Sequence, residues 1–561
     1  MHNEFAHQSR IAYFTMEIAL KSDIPTYSGG LGVLAGDVMR AGADIQLPLV
    51  AVSLVSRAGY FRQEIRDGRQ IEHPDTWDPS KWALPLDAKI AVNIEGREVW
   101  VRGWLYVLEG HLGGKEPVIL LDTDLDENSH DDREITHYLY GGDQVYRLKQ
   151  EIVLGIGGLR MLHALGFQIR QYHMNEGHSA LLALELLRRN ASTENGDENH
   201  LSYDIPMVRK ICNFTTHTPV EAGHDQFPYE LVQTVLRDFI DFSEFRSLAG
   251  EERLNMTMLA LNLSEYVNGV AMKHAETSRK MYPGYHVHAV TNGVHPHTWT
   301  SKSFSGLYDK YLSGWCHEPQ LLVRVDQIPD EEIWEAHNQS RLALIALIKS
   351  LCGKDFSEEY PIIGFARRMT AYKRPDLLFS DVEKLKAIAG KFPFQIVMSG
   401  KAHPRDEGGK KLIEDLHRHL DGISDVIPTA FLPNYDMALA LSLVSGVDLW
   451  LNTPLKPREA SGTSGMKAAF NGVPSLSVMD GWWLEGCIEG VTGWAIGNVS
   501  DKSNGEDADA LYEKLEKTVL PLYHDDREKW ISVMKNAIGK NASYFNSHRM
   551  MRRYATEAYV R

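Results

Sequence analysis

Cysteine is scarce in this sequence: Cys212, Cys316, Cys352 and Cys487 are the only four in 561 residues, and no two form a CxxC pair. So few and so scattered, they give neither a disulfide framework nor a zinc-finger set, and they fit a reducing compartment. Positive charge is also in deficit, with 75 acidic side chains against 59 basic ones and a formal net charge of −16. Nucleic acids and anionic membranes call for a broad basic surface, so neither is expected as a partner; a small anion needs only a few local cations. Long apolar runs are missing too. No uncharged stretch reaches membrane-span length, and residues 1–10 are polar where a leader would be apolar. A cytoplasmic protein is expected.

What the chain does have is an ordinary globular composition, 43% hydrophobic and 24% charged, over a length that calls for two sizeable cores. Short apolar runs at 11–16, 48–54, 361–366, 394–399, 447–451 and 474–478 read as strands. Helical patterns occupy 33–45, 330–351, 376–389, 410–419 and 437–443. Such alternation predicts an α/β fold, with two Rossmann-like doubly wound domains and a cleft at the carboxyl ends of their strands. The boundaries read as 1–300 and 301–526, followed by a helical segment, 527–561, free to pack back on the first domain. The polar run 190–200 reads as a solvated loop.

Three segments carry chemistry. EASGTSGMK, 459–467, places the small residues Ser461, Gly462, Ser464 and Gly465 before a helical run at 466–471. Small residues there let backbone N–H groups converge on an anion, and Lys467 is placed for either a phosphate contact or a Schiff base. An ordinary glycine-rich turn with a surface lysine would read the same way. RRMTAYKR, 367–374, puts four cations at the carboxyl end of an expected strand, where they can clamp phosphate; a solvated basic patch is the alternative. YSGGLGVLAGD, 27–37, lets the backbone approach an anion but does not match the dinucleotide GxGxxG pattern.

Other features are weaker. His286, His288, His295 and His297 lack a cysteine or paired carboxylate beside them, so no metal is expected. NEGH, 175–178, suits contacts to sugar hydroxyls or support of the cleft, and Trp482 with Trp483 reads as core.

Together the three segments resemble the α-glucan phosphorylases, the pyridoxal-phosphate-dependent branch of the two-Rossmann-domain (GT-B) glycosyltransferases. YFTMEIA with Glu17, RLKQE at 147–151, NEGHSALLALELL, THT at 216–218, VNGVAMKH, TNGVHPHTW and SGKAHP follow in the family's order. The likeness runs from about residue 10 to 500, and the subtype is similar to the short bacterial and archaeal enzymes. The resemblance implies an enzyme that releases α-glucose 1-phosphate, with retention, from the ends of α-1,4-glucans such as glycogen or maltodextrin. Its partners would be the glucan and inorganic phosphate, its cofactor pyridoxal 5′-phosphate, and its assembly a homodimer.

Position by position, the resemblance implies that Lys467 attaches the cofactor, that Arg367, Thr463 and Ser464 hold the cofactor's phosphate, and that Trp299 and Tyr435 pack beside it. Arg368, Lys373 and the Gly30 amide would hold the substrate phosphate. Glu459, Ser461, Gly462, His217 and Asn292 would bond the glucosyl unit. This chain departs from the family in carrying Met369-Thr370-Ala371 for Ile-His-Glu, Ser464-Gly465 for Gly-Asn, Asp436 for an Arg, and a short 139–147 loop. Two rival functions share parts of this pattern. A nucleotide-sugar glucan synthase would carry Lys where Ser28 stands and would lack Lys467. A catalytically silent glucan binder would have no use for a buried cationic clamp.

Overall fold

The apolar run near the start of the chain forms β1 (Ile11–Phe14), every residue of it buried. It lies at the middle of a nine-stranded sheet with β2 (Leu49–Leu54), β3 (Leu84–Ile94), β4 (Arg97–Glu109), β5 (Lys115–Asp122), β6 (Gln171–Asn175), β7 (Cys212–Thr215), β8 (Tyr266–Gly269) and β9 (His288–Ala289). The order is β9-β8-β7-β6-β1-β2-β5-β4-β3. Strands β9 through β5 are parallel, and the central ones are uninterrupted apolar runs because helices cover both faces. The last two pairings, β5 with β4 and β4 with β3, are antiparallel. This computed structural model describes residues 2–193, 201–220, 223–237, 239, 242–498 and 504–560. Most of the loop expected at 190–200 lies outside the described residues.

The second sheet is wholly parallel: β10 (Ile362–Ala366), β11 (Gln395–Ser399), β12 (Thr429–Leu432), β13 (Leu449–Asn452), β14 (Ser475–Val478) and β15 (Gly493–Ile496). Its order, β12-β11-β10-β13-β14-β15, is the doubly wound 3-2-1-4-5-6 arrangement. The chain reverses its direction of winding between β10 and β13, so a crevice opens beyond their carboxyl ends. The loops that follow those two strands start at Arg367 and Thr453. The first sheet reverses between β1 and β6, and there Thr15, Glu17, Asn175 and Glu176 emerge.

Both lobes are therefore α/β with parallel sheets. The difference from the sequence reading lies in the antiparallel pieces: β3 and β4 at one edge of the first sheet, and a separate two-stranded hairpin (Arg62–Arg66 with Arg69–His73). Their charged and apolar residues alternate along half-exposed strands, so they show no buried apolar run. That hairpin reaches across to the second lobe. The Gln63 amide N–H donates to Asn434 Oδ1 (3.0 Å), and the Asn434 N–H returns a bond to Gln63 Oε1 (2.8 Å). Gln70 repeats the pattern on Ala402, at 2.9 and 3.0 Å.

Four helices matter for the site: α1 (Gly30–Asp44), α2 (Asp330–Cys352), α3 (Ser464–Ala469) and α4 (Ser547–Tyr554). Helix α2 opens with Asp330, Glu331 and Glu332, which suit the positive end of its dipole, and stops at Gly353 with φ 66°. Helix α3 begins two residues before the expected run at 466–471. Near the end of the chain Trp530 stacks on Trp494 in the second lobe (5.6 Å). Helix α4 then crosses to the first lobe, where Tyr559 Oη meets His173 Nδ1 at 2.6 Å. Trp482 and Trp483 are both buried in the second lobe's core.

Candidate active site

The carboxyl ends of β10 and β13 bring three oppositely charged groups together. Arg367 Nη2 and Lys373 Nζ each donate to Glu459 Oε2 at 2.6 Å, and all three side chains are largely buried. Arg367 Nη1 also donates to Asn452 Oδ1 (3.1 Å), the last residue of β13, which ties it to the crevice between β10 and β13. Burial alone would raise the Glu459 carboxyl; the Arg367 and Lys373 charges overcome it and hold the group down at about 2. Glu459 is thus ionised at neutral pH and acts as an acceptor. Its own amide N–H donates to Asp480 Oδ2 (2.8 Å). Burial, reinforced by the neighbouring Glu459 charge against two main-chain bonds, pushes Asp480 up to about 6.

Lys467 sits one turn inside α3 and is buried. Its ammonium lies 3.9 Å from the centre of the Trp299 ring. Burial pushes its pKa down to about 8, against the partial opposition of the Asp37 carboxylate. At pH 7 about a tenth of such a lysine is neutral and nucleophilic, far more than of an ordinary lysine. Trp299 is fixed from behind: its indole N–H donates to Asp37 Oδ2 (2.8 Å), and its carbonyl accepts from Asn471 Nδ2 (2.8 Å). Asp37 is buried on α1, and burial raises its pKa. Thr463 precedes α3, and the Ser464 hydroxyl accepts from Trp450 Nε1 (3.0 Å). Gly462 has φ 84°, and a Cβ there would stand 3.3 Å from the Glu459 side chain, so a glycine is required for the bend. Tyr435 lies half-buried near Arg367, and burial raises its phenol.

Arg368 points elsewhere. It is exposed, with Nη2 3.4 Å from Ser28 Oγ, and the glycine loop faces it: a Cβ on Gly29 would lie 3.7 Å from that nitrogen. Gly30 opens helix α1, and a Cβ there would meet nothing within 4 Å. The loop is shaped by Glu17, whose Oε2 accepts the amide N–H of Ser28 (2.6 Å) and of Gly29 (3.2 Å), while the Tyr140 hydroxyl donates to Oε1 (2.8 Å).

His217 and Asn292 stand on the first lobe. His217 Nε2 meets Asn175 Oδ1 at 2.6 Å, and its main-chain N–H donates to Glu176 Oε2 (2.8 Å). Burial holds the imidazole neutral, down at about 3. Asn292 Oδ1, Ser461 Oγ, Thr370 Oγ1 and Arg367 Nε are buried without a hydrogen-bond partner among the described residues. Such orphaned groups are costly unless a ligand satisfies them. Asp37, Asp480, Asn452 and Asn471 were not singled out from the sequence. Only Asp37 left a trace there, as the last residue of the glycine-rich segment.

The four loop histidines do not form one cluster. His286 packs on His288, and His297 stacks on His111. His295 joins Asp44 and His548 in the single group among the described residues whose ligand atoms converge. There the Thr298 amide N–H donates to His295 Nδ1 (3.2 Å), so the ring's proton sits on Nε2 and goes to Asp44 Oδ2 at 2.8 Å.

Comparison with known proteins gives the family. The carbohydrate phosphorylase family model matches residues 18–102 and 242–489. The maltodextrin phosphorylase of Thermococcus litoralis is 39% identical, over 98% of this chain and 70% of its own length. Two glycogen phosphorylases are 36% identical: that of Aquifex aeolicus over 99% of this chain and 87% of its own, and that of Mycobacterium tuberculosis over 98% and 70%. The chain belongs to the carbohydrate phosphorylase family.

Proposed function

We propose that this protein is an α-glucan phosphorylase of GT-B architecture. It transfers the terminal α-1,4-linked glucosyl unit of a glycogen- or maltodextrin-like glucan to inorganic phosphate, giving α-glucose 1-phosphate with retention. Residues 1–300 and 301–526 serve as its two domains, and 527–561 ties them together. The reading includes a homodimer working in the cytoplasm; no helix among the described residues is long and apolar enough to cross a membrane.

The observation that carries the proposal is the pairing of two features: a buried lysine of lowered pKa on an aromatic face, and a cation pair that already grips one carboxylate. These residues fit pyridoxal 5′-phosphate. Lys467 is the amine that would attach it, Trp299 and Tyr435 its neighbours, and Arg367 with the Thr463–Ser464 amides the holders of its phosphate. When bound, the cofactor supplies a phosphate whose second ionisation lies at about 6, a proton source near neutrality.

The chain's own residues divide the remaining work. Arg368, Lys373 and the Gly30 amide bind the attacking phosphate and neutralise its charge. Glu459, ionised, accepts from a glucosyl hydroxyl and keeps Arg367 and Lys373 in place. His217, Asn292, Ser461 and the Gly462 backbone orient the sugar. In the reaction the bond from C1 to the glucan oxygen breaks, a phosphate oxygen joins C1, and a proton reaches the departing oxygen. Incubation with maltodextrin and inorganic phosphate tests this: glucose 1-phosphate should accumulate, and the purified protein should show the absorbance of bound pyridoxal phosphate. A protein with neither would overturn the assignment.

A further inference from the structure

The loop that carries Asn292 is held mostly from outside its own lobe. Arg549, on α4, donates through Nη1 to the Thr291 carbonyl (2.6 Å) and through Nη2 to the Asn292 carbonyl (2.9 Å). Its Nε goes to the Tyr544 carbonyl (3.0 Å), and its guanidinium lies 4.7 Å from the Tyr544 ring centre. All three acceptors are main-chain oxygens, and no carboxylate forms a salt bridge with it among the described residues. The flanking residues are pinned as well: Val294 N–H donates to Phe545 O (3.1 Å) and Ser547 N–H to Val294 O (2.9 Å). Between them a Cβ on Gly293 would lie 2.1 Å from Asn546 O, so the two strands of chain touch. From the second lobe, Glu485 Oε2 accepts from the Thr291 hydroxyl (2.7 Å). The first lobe itself supplies two main-chain bonds, Val290 N–H to Gly269 O and Asn292 N–H to Val270 O (both 3.0 Å). Asn292 Oδ1, buried and unpartnered among the described residues, is the group this scaffold leaves available.

We infer that Arg549 is a positioning residue for Asn292: its two-pronged grip on the Thr291 and Asn292 carbonyls sets the carboxamide where the glucosyl unit binds. The end of the chain thus completes a sugar site built on its first half. This rests on the phosphorylase reading. A fixed guanidinium fork holds two adjacent carbonyls in a way a lysine does not reproduce, and a displacement of about 1 Å in a substrate-orienting group costs up to about 100-fold in rate.

The test is a double-mutant cycle on the pyridoxal-phosphate-loaded enzyme, read as kcat/KM for maltodextrin at saturating phosphate, with R549A, N292A and the double variant. R549A should lose about 30-fold and R549K about 5-fold, with the KM for phosphate changing less than about threefold. In the N292A background, R549A should cost less than about threefold more, because the residue it positions is already gone. Losses that multiply in full, or an R549A enzyme with wild-type kinetics, would overturn the inference while leaving the phosphorylase reading intact. A wild-type protein with no turnover would overturn both. Circular dichroism and melting temperature check that each variant is folded, and if R549A is not, the cycle of R549K with N292A decides the matter in the same way.

Discussion

Lys467 meets Trp299 as a cation over an aromatic face, 3.9 Å from the ring centre, with no carboxylate among the described residues paired to its ammonium. The opposing charge it feels, Asp37, accepts the Trp299 indole N–H at 2.8 Å. The ammonium form is therefore under-compensated, which is why burial brings the amine down to about 8.

Capture of pyridoxal phosphate by the cofactor-free protein should follow that value. The neutral fraction of a lysine titrating at about 8 rises about tenfold from pH 7 to 9, whereas an ordinary lysine gains about a hundredfold. Absorbance-monitored capture should show the shallow dependence, and borohydride reduction followed by peptide mapping should place the label on Lys467. A label on Lys373 or Lys401, or the steep dependence, would sink the assignment.

Arg368 and its neighbour Arg367 should separate cleanly. Arg368 is exposed, and the hydrogen bond it makes among the described residues is to Ser28 Oγ at 3.4 Å, so R368A should lower the melting temperature only slightly. It should still weaken phosphate use by the equivalent of about 1.5–3 kcal/mol, the usual worth of a charge-assisted bond. Arg367 is bonded to Glu459 and Asn452, so R367A should lower stability as well. An R368A enzyme with normal phosphate kinetics and collapsed glucan affinity would show that the cation has been misread.

The clamp was legible in the sequence because it sits where chain order and chemistry coincide. RRMTAYKR follows an apolar strand directly, and EASGTSGMK runs into a helix. The antiparallel edge and the hairpin carrying Gln63 and Gln70 were not legible, since their alternation is shared with any half-exposed segment. Nor was the indole–carboxylate bond between Asp37 and Trp299, whose partners lie 262 residues apart and meet only through tertiary packing. Arg549 gave no signal for a similar reason. Its acceptors are main-chain carbonyls, which no residue type advertises.

Glu459→Gln should destabilise the cofactor-free protein strongly at neutral pH and less in acid. The folded carboxyl is held at about 2, below its ordinary value of 4.5. Its stabilising contribution is therefore complete above about pH 4.5 and disappears as pH falls through about 2. At about 1.4 kcal/mol per unit this amounts to about 3 kcal/mol, and the substitution also leaves Arg367 and Lys373 without their shared anion. Denaturant midpoints at pH 7.5 should differ between wild type and variant by more than those at pH 3.5. Inorganic phosphate should narrow the gap at neutral pH by taking over the freed cations. An E459Q protein as stable as wild type at pH 7.5 would mean that the clamp is not charge-paired in solution.

Asp480→Asn asks whether a side-chain carboxyl gives up the proton that the departing glucan oxygen needs. Held up at about 6, Asp480 has the titration expected of a general acid. Its surroundings argue otherwise. Oδ2 accepts the Glu459 amide N–H (2.8 Å) and Oδ1 the Gly481 amide N–H (2.9 Å), so each oxygen is tied to the backbone. Gly481, at φ 56°, packs against that same stretch: a Cβ on it would stand 2.5 Å from Ser461 O. Asp480 therefore holds the bend that presents Glu459. A general acid works only while protonated, so an Asp480 acid would make the rate fall as pH rises past about 6, and D480N would abolish that limb. The expected result is instead a D480N enzyme slowed less than about tenfold, with its pH–rate profile shaped like the wild type's. Glu459, already ionised at about 2, has no proton to offer either. A D480N enzyme that lost its basic limb or fell a thousandfold would instead give Asp480 the role of proton donor.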